Sequence, residues 1–157
     1  MKYYSNEKIA FYKKKAQMSL LFSIGLVSLA VIFFALSAFF ISNKSILAIK
    51  IIDSIFLSFS SCFLFYSIVN VINPCKRKMN HIYTVMNSSH KHIKCKIIDI
   101  KEVKTISKSV IAKQLFVKVD DEELFINYNL DCSPRKFSIG SSIEVDVANS
   151  FIVNEDD

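Results

Sequence analysis

The sequence predicts a membrane α-helical hairpin of two transmembrane helices, followed by a small all-β cytosolic domain of about five strands forming an SH3-like or OB-like barrel. Three observations lead there. Two long apolar stretches, Ala16 to Asn43 and Ile51 to Asn73, fill the first half of the chain; basic clusters flank the pair at both ends; and from Ile93 the apolar period shortens to that of strands. The implied division is a cytosolic basic segment over 1–15, a hairpin over 16–73, a juxtamembrane linker with a short amphipathic helix over 74–92, and a β-barrel domain over 93–157.

The 28 residues from Ala16 to Asn43 carry no charge, and about 20 suffice to cross a hydrocarbon core roughly 30 Å thick at about 1.5 Å per residue. A cleaved signal peptide is the rival reading, with Lys13 to Lys15 as its basic region and Ala35-Leu36-Ser37 as its cleavage site. The apolar run is too long for that, and a second span follows at once.

Lysine and arginine near span ends resist translocation, which sets the orientation. Lys13, Lys14 and Lys15 precede the first span and Lys76, Arg77 and Lys78 follow the second, whereas only Lys44 and Lys50 lie between them. The expected location is the cell membrane, multi-pass, with both termini cytosolic and a short outer connection around Ser42 to Ser45. The six basic residues at the inner ends are expected to face lipid headgroups.

The formal net charge of +6 is unevenly spread. Residues 1–96 hold 13 Lys and Arg against Glu7 and Asp53, while residues 97–157 hold 7 against 12 acidic groups. The basic excess therefore belongs to the span flanks, where anionic lipid explains it, and nucleic acid is not expected as a partner.

Within the spans, small and hydroxyl residues recur at helical spacing: Ser23, Ala30 and Ser37 in the first, Ser54, Ser58 and Ser61 in the second. Such stripes let helices approach closely where apolar burial gains little over lipid. They are expected to pack the hairpin, with a homo-oligomer as the further possibility. Asp53 is the acidic residue nearest the bilayer, and Lys50 stands three residues earlier. The two are expected to pair at the outer interface, with an ion or proton role for Asp53 as the alternative.

Past Pro74, the positions Met79, Ile82, Tyr83 and Met86 mark one face of a short helix. The strand pattern then begins with 93–97 and 98–101, whose slip at Ile97-Ile98 predicts a bulge or change of face. Residues 115–119 and 124–128 flank the acidic turn Asp120 to Glu123 as a hairpin, and 143–147 and 151–153 complete the set. Closure into a barrel would remove exposed edges. So small a domain has a thin core, and docking on the short helix, the membrane or a partner should help it.

The segment Phe137-Ser138-Ile139-Gly140-Ser141-Ser142-Ile143-Glu144-Val145 resembles the turn leading into a late strand in the cytosolic barrels of small bacterial membrane proteins, including the NfeD-like family. Gly140 would supply a positive φ there. The resemblance covers residues 93–153 and implies an accessory or scaffolding role beside another membrane protein, with no functional residue carried over. The first strand lacks the glycine such a barrel would have, and two spans are fewer than many of these proteins possess. The Lys-, Ile- and Asn-rich composition, with 2 Gly and no Trp, fits a bacterial host.

Cys62, Cys75, Cys95 and Cys132 are expected as free thiols on the reducing side. His90, His92 and Cys95, with Cys132 distant, could supply zinc ligands, but the spacing matches no strong pattern and no metal is expected. Palmitoylation of Cys75 is discounted for a bacterial chain. No phosphate-binding glycine loop, nucleophile elbow or H-E-x-x-H motif occurs, so neither enzyme nor cofactor is expected. The remaining roles are a membrane-anchored adaptor, a self-assembling pore or ring, or an immunity-type protector against a membrane-active toxin. In each, the chain should stay with membranes through an alkaline carbonate wash and leave them only in detergent; release by carbonate would overturn the span assignment.

Overall fold

A computed structural model of the chain describes residues 3–40, 46–107, 109–120, 122–131 and 137–155. The outer connection around Ser42 to Ser45, Asp121 of the acidic turn and Cys132 lie outside the described residues. Helix α1 is Asn6–Phe40, α2 is Ile46–Ser67, a π-helical turn follows over Ile68–Ile72, and α3 is Asn73–Met86. Five strands complete the order: β1 His90–Ser107, β2 Val110–Val119, β3 Glu122–Asn129, β4 Ser142–Ala148 and β5 Phe151–Glu155. The architecture is thus two long apolar helices plus a small β domain, and the chain divides into two compact units, 13–76 and 1–12 with 77–157.

In the helical unit, α1 and α2 run antiparallel. Phe22 meets Phe63 and Phe33 meets Phe56 edge to face, with ring centroids 5.8 and 6.3 Å apart. The inward residues repeat every seven positions on both helices: Ala16, Ser23 and Ala30 are buried with Ser37 half-buried on α1, and Ser60 and Ser67 are buried with Asp53 half-buried on α2. A period of 3.5 keeps one seam facing its partner along two supercoiled helices.

The helix does not break at Pro74, where the sequence suggested a new element. Proline lacks an N–H and its ring clashes with the carbonyl four residues back. Here the preceding turn is widened to π geometry, with the Asn73 N–H reaching the Ile68 carbonyl, and the helix continues through Pro74.

The β domain is a mixed sheet with neighbour order β1-β2-β3-β5-β4, in which β4 also pairs with β1. β1 is one long strand rather than two. Its register slips as the alternation indicated, for Ile97 pairs with Val117 and Asp99 with Phe116, leaving Ile98 as the extra residue. Gly140 has φ 86°, its N–H donates to the Ile97 carbonyl at 2.8 Å, and the Ile97 N–H donates to Ser141 at 2.9 Å. The glycine turn is thereby pinned at the bulge. Asn149 and Ser150 both have positive φ between the paired Ala148 and Phe151, the arrangement of a tight primed hairpin turn.

The N-terminal residues are part of this domain. Tyr3 and Tyr4 are each 2% exposed, the Tyr3 N–H donates to the Val153 carbonyl at 2.9 Å on β5, and the Tyr3 ring stands edge-on to Tyr128 with centroids 6.5 Å apart. From α3, Ile82 and Val85 are buried in the same core as Leu115, Val117, Val145 and Ile152. The short helix faces inward with Ile82 and Val85, while Tyr83 is left exposed. A thin five-stranded core thus gains Ile82 and Val85 from α3 and Tyr3, Tyr4 and Ile9 from the N-terminal segment. Tyr3→Ala is expected to destabilise the β domain by about 3 kcal/mol, as for other large-to-small core changes, read as a lowered midpoint of thermal unfolding in detergent micelles. An unchanged midpoint would show that the N-terminal segment is merely tethered.

Candidate functional site

The β domain carries a cleft of about 300 Å³ lined by Ser89, Lys91, Ile93, Leu124, Phe125, Ile126, Val147, Asn149 and Ser150. It exists because the ladder opens. β2 and β3 pair continuously from Ala112↔Asn129 to Val119↔Glu122, but β3 meets β5 at one pair, Asn127↔Phe151. The Asn127 N–H donates to the Ser150 carbonyl at 2.6 Å, so this residue's backbone groups point away from β2. Backbone direction alternates along a strand, so the N–H and C=O of Glu123 and Phe125 point the same way. Among the described residues no strand pairs with them.

The cleft walls follow from side-chain alternation. Ile126 is buried and Ile93 and Val147 half-buried, whereas Leu124 and Phe125 remain 43% and 58% exposed. Phe125 leans on Phe116 of β2, ring centroids 6.4 Å apart. The β2–β3 turn carries exposed Asp120, Glu122 and Glu123 at one end of this edge, with Lys118 opposite Glu123 in the ladder. Sequence reading named these strands but not the gap, because nothing in the 122–129 pattern distinguishes a paired edge from an open one.

A second polar site lies between the helices. The Ser37 hydroxyl donates to the Asp53 carboxylate across the hairpin. Lys50 is exposed and, among the described residues, makes no ion pair with Asp53, whose carboxylate is engaged by the Ser37 hydroxyl instead. On α1 the predicted stripe of Ser23, Ala30 and Ser37 lies on the seam. On α2, Ser54, Ser58 and Ser61 are exposed and the seam residues are Ser60 and Ser67, which the sequence reading missed. The seven-residue repeat on α1 was the available signal, since Asp53, Ser60 and Ser67 carry it through three positions of α2 whereas Ser54 and Ser61 carry it through two. Ser23, Ser54, Ser60 and Ser61 each donate to a carbonyl four residues earlier, so their hydroxyls are satisfied within their own helices.

Of the basic flanks, Lys13, Lys14, Lys15, Lys76 and Arg77 are exposed. Lys78 is drawn into the β domain, 2.6 Å from Asp131 and 5.4 Å from the Tyr12 ring centroid. Nearby, the His81 ring packs on Phe151 at 4.5 Å and its Nε2 lies 3.3 Å from the Tyr4 hydroxyl.

The possible zinc donors are separated by strand alternation. Cys95 points into the core, where burial pushes its thiol up and keeps it protonated. His92 points outward to two carboxylates of β4, with Nδ1 2.9 Å from Asp146 and Nε2 3.1 Å from Glu144; Lys94 also reaches Glu144 at 3.1 Å. Among the described residues no three His, Cys, Asp or Glu side chains converge as a metal site.

The outward cluster titrates instead. Hydrogen bonds to Asp146 and then Glu144 hold His92 above its ordinary value of 6.5, and His92 in turn lowers both carboxyls. A raised histidine contributes its stabilisation fully below its unfolded value and loses it as pH rises through the folded one; the lowered carboxyls lose theirs as pH falls. The cluster therefore ties β1 to β4 most firmly between those limits. The His92 ring signal in NMR should titrate above pH 6.5, and Asp146→Asn should lower that midpoint more than Glu144→Gln. A midpoint indifferent to Asp146→Asn would sink this assignment. No family model, curated protein or solved structure matches the chain.

Proposed function

We propose that this chain is a non-catalytic, membrane-anchored adaptor, in which the hairpin lies in the cell membrane with both termini cytosolic and the β domain, a small SH3-like or OB-like barrel, binds a partner protein. The observation that carries it is the open stretch of β3 beside an apolar cleft, because unpaired strand edges are where extended segments of other proteins add. Two further features support the anchor. Both helices are long and apolar enough to cross a membrane, and only 11% and 17% of their apolar windows are buried within the fold. Residues 1–12 and 77–157 belong to one compact unit, which suits two spans whose outer ends on the chain return to the same side.

An accessory role of the kind implied by the NfeD-like resemblance is compatible with this reading. The cleft offers apolar walls, backbone groups and scattered charges, a set suited to holding a polypeptide rather than to transforming one. With benzoylphenylalanine in place of Phe125, irradiation of intact cells should give one discrete heavier adduct, and the same group in place of Ile111 on β2 should not. The absence of an adduct specific to position 125 would overturn the adaptor reading.

A further inference from the structure

We infer that the cleft takes an extended polypeptide of alternating apolar residues, with lysine or arginine at the end nearest the β2–β3 turn, added to β3 as an extra strand. This rests on the adaptor reading and names the partner's chemistry. The backbone sets the mode. Glu123 and Phe125 present N–H and C=O groups in the same direction as the Asn127 N–H that already bonds Ser150, and the open stretch from Glu122 to Ile126 is about 16 Å long at roughly 3.3 Å per residue. A strand of four or five residues fits that length.

The side chains set the composition. Alternate residues of an added strand would turn toward Ile93, Ile126 and Val147, which favours apolar groups at every second position. The remaining positions would flank Phe125 on the outer face, where polar residues are tolerated.

Charge sets the polarity. Asp120, Glu122 and Glu123 are exposed at the β2–β3 turn end, against Lys118 on the neighbouring strand. At the opposite end the wall carries Lys91, beside Asn149 and Ser150 of the β4–β5 turn. A basic residue is therefore attracted to one end and repelled from the other, and Lys or Arg belongs beside Glu122. The acidic balance of residues 97–157, 7 Lys and Arg against 12 Asp and Glu, adds to the attraction.

The test uses the full-length chain in nanodiscs and fluorescein-labelled synthetic peptides Val-Thr-Val-Thr-Val carrying two lysines at the carboxyl or at the amino end, to cover both strand directions. One lysine peptide should bind at least about tenfold more tightly than its glutamate counterpart, and the preference should shrink with added salt. N-methylation at alternate backbone positions should abolish binding, because the peptide then lacks the N–H groups that pair with β3. The double variant Glu122→Lys, Glu123→Lys should reverse the charge preference. Equal binding of the glutamate or the N-methylated peptide overturns the inference, as does absence of saturable binding of every peptide up to about 1 mM. A concentration-dependent dimer that excludes the peptides would assign the cleft to a second copy and overturn it too. A specific adduct at Phe125 beside failed peptide binding would remove only the stated partner chemistry, whereas loss of that adduct removes the adaptor reading itself.

Discussion

The β domain depends on two chain segments from outside its sheet, one at the N-terminus and one on α3. Tyr3 binds β5 through its backbone and buries its ring against Tyr128, while Ile82 and Val85 enter the same core from α3. The residues just before the first long apolar run and just after the second are thus fixed to one small core. Each fully buried aliphatic side chain there is worth about 1.5–3 kcal/mol of transfer free energy, so these contributors from outside the sheet matter to a domain of five short strands. The Lys78–Asp131 pair, at 2.6 Å and partly exposed, adds direction more than stability.

The helical unit follows a different rule, since its seam is built from small and polar residues rather than large apolar ones. Ala16, Ser23 and Ala30 on one helix and Ser60 and Ser67 on the other bring the backbones close. Large side chains such as Phe59 and Phe65 are exposed, while the Phe22–Phe63 and Phe33–Phe56 pairs meet across the two helices beside the seam. Ser37 and Asp53 supply the cross-helix hydrogen bond, which specifies one register in a seam that otherwise lacks distinguishing features. A polar pair of this kind fixes which residues face each other, at some cost in desolvation.

Much of this was legible in the residues. Alternation placed five strands, the doubled isoleucine at Ile97-Ile98 marked the bulge, and a lone glycine in a polar run marked the positive-φ turn at Gly140. Each is a local signal with a local cause. What escaped was set by tertiary partners. Tyr3 and Tyr4 look like ordinary residues of a basic tail until β5 offers an edge. Pro74 reads as a boundary until the π turn absorbs it. Ser54, Ser58 and Ser61 have as good a spacing as any, and only the repeat on α1 shows that the seam runs through Asp53, Ser60 and Ser67. The gap beside β3 was invisible for the same reason, because pairing is decided by where β5 goes.

That gap is all the more telling because the domain covers its other edges with care. β4 is flanked by β1 and β5, and the free side of β5 accepts the Tyr3 N–H at Val153. Natural sheets cover or charge their edges because an uncovered one pairs with whatever strand arrives. Among the described residues, the edge at Glu123 and Phe125 is charged at one end and left uncovered. Acidic groups at the β2–β3 turn disfavour a second copy of the same edge laid in parallel register, since identical carboxylates would then face one another. The same groups leave a basic strand unopposed. The edge is therefore guarded against its own kind while staying open to a strand of opposite charge, a selectivity that needs no further residue than those already in the turn.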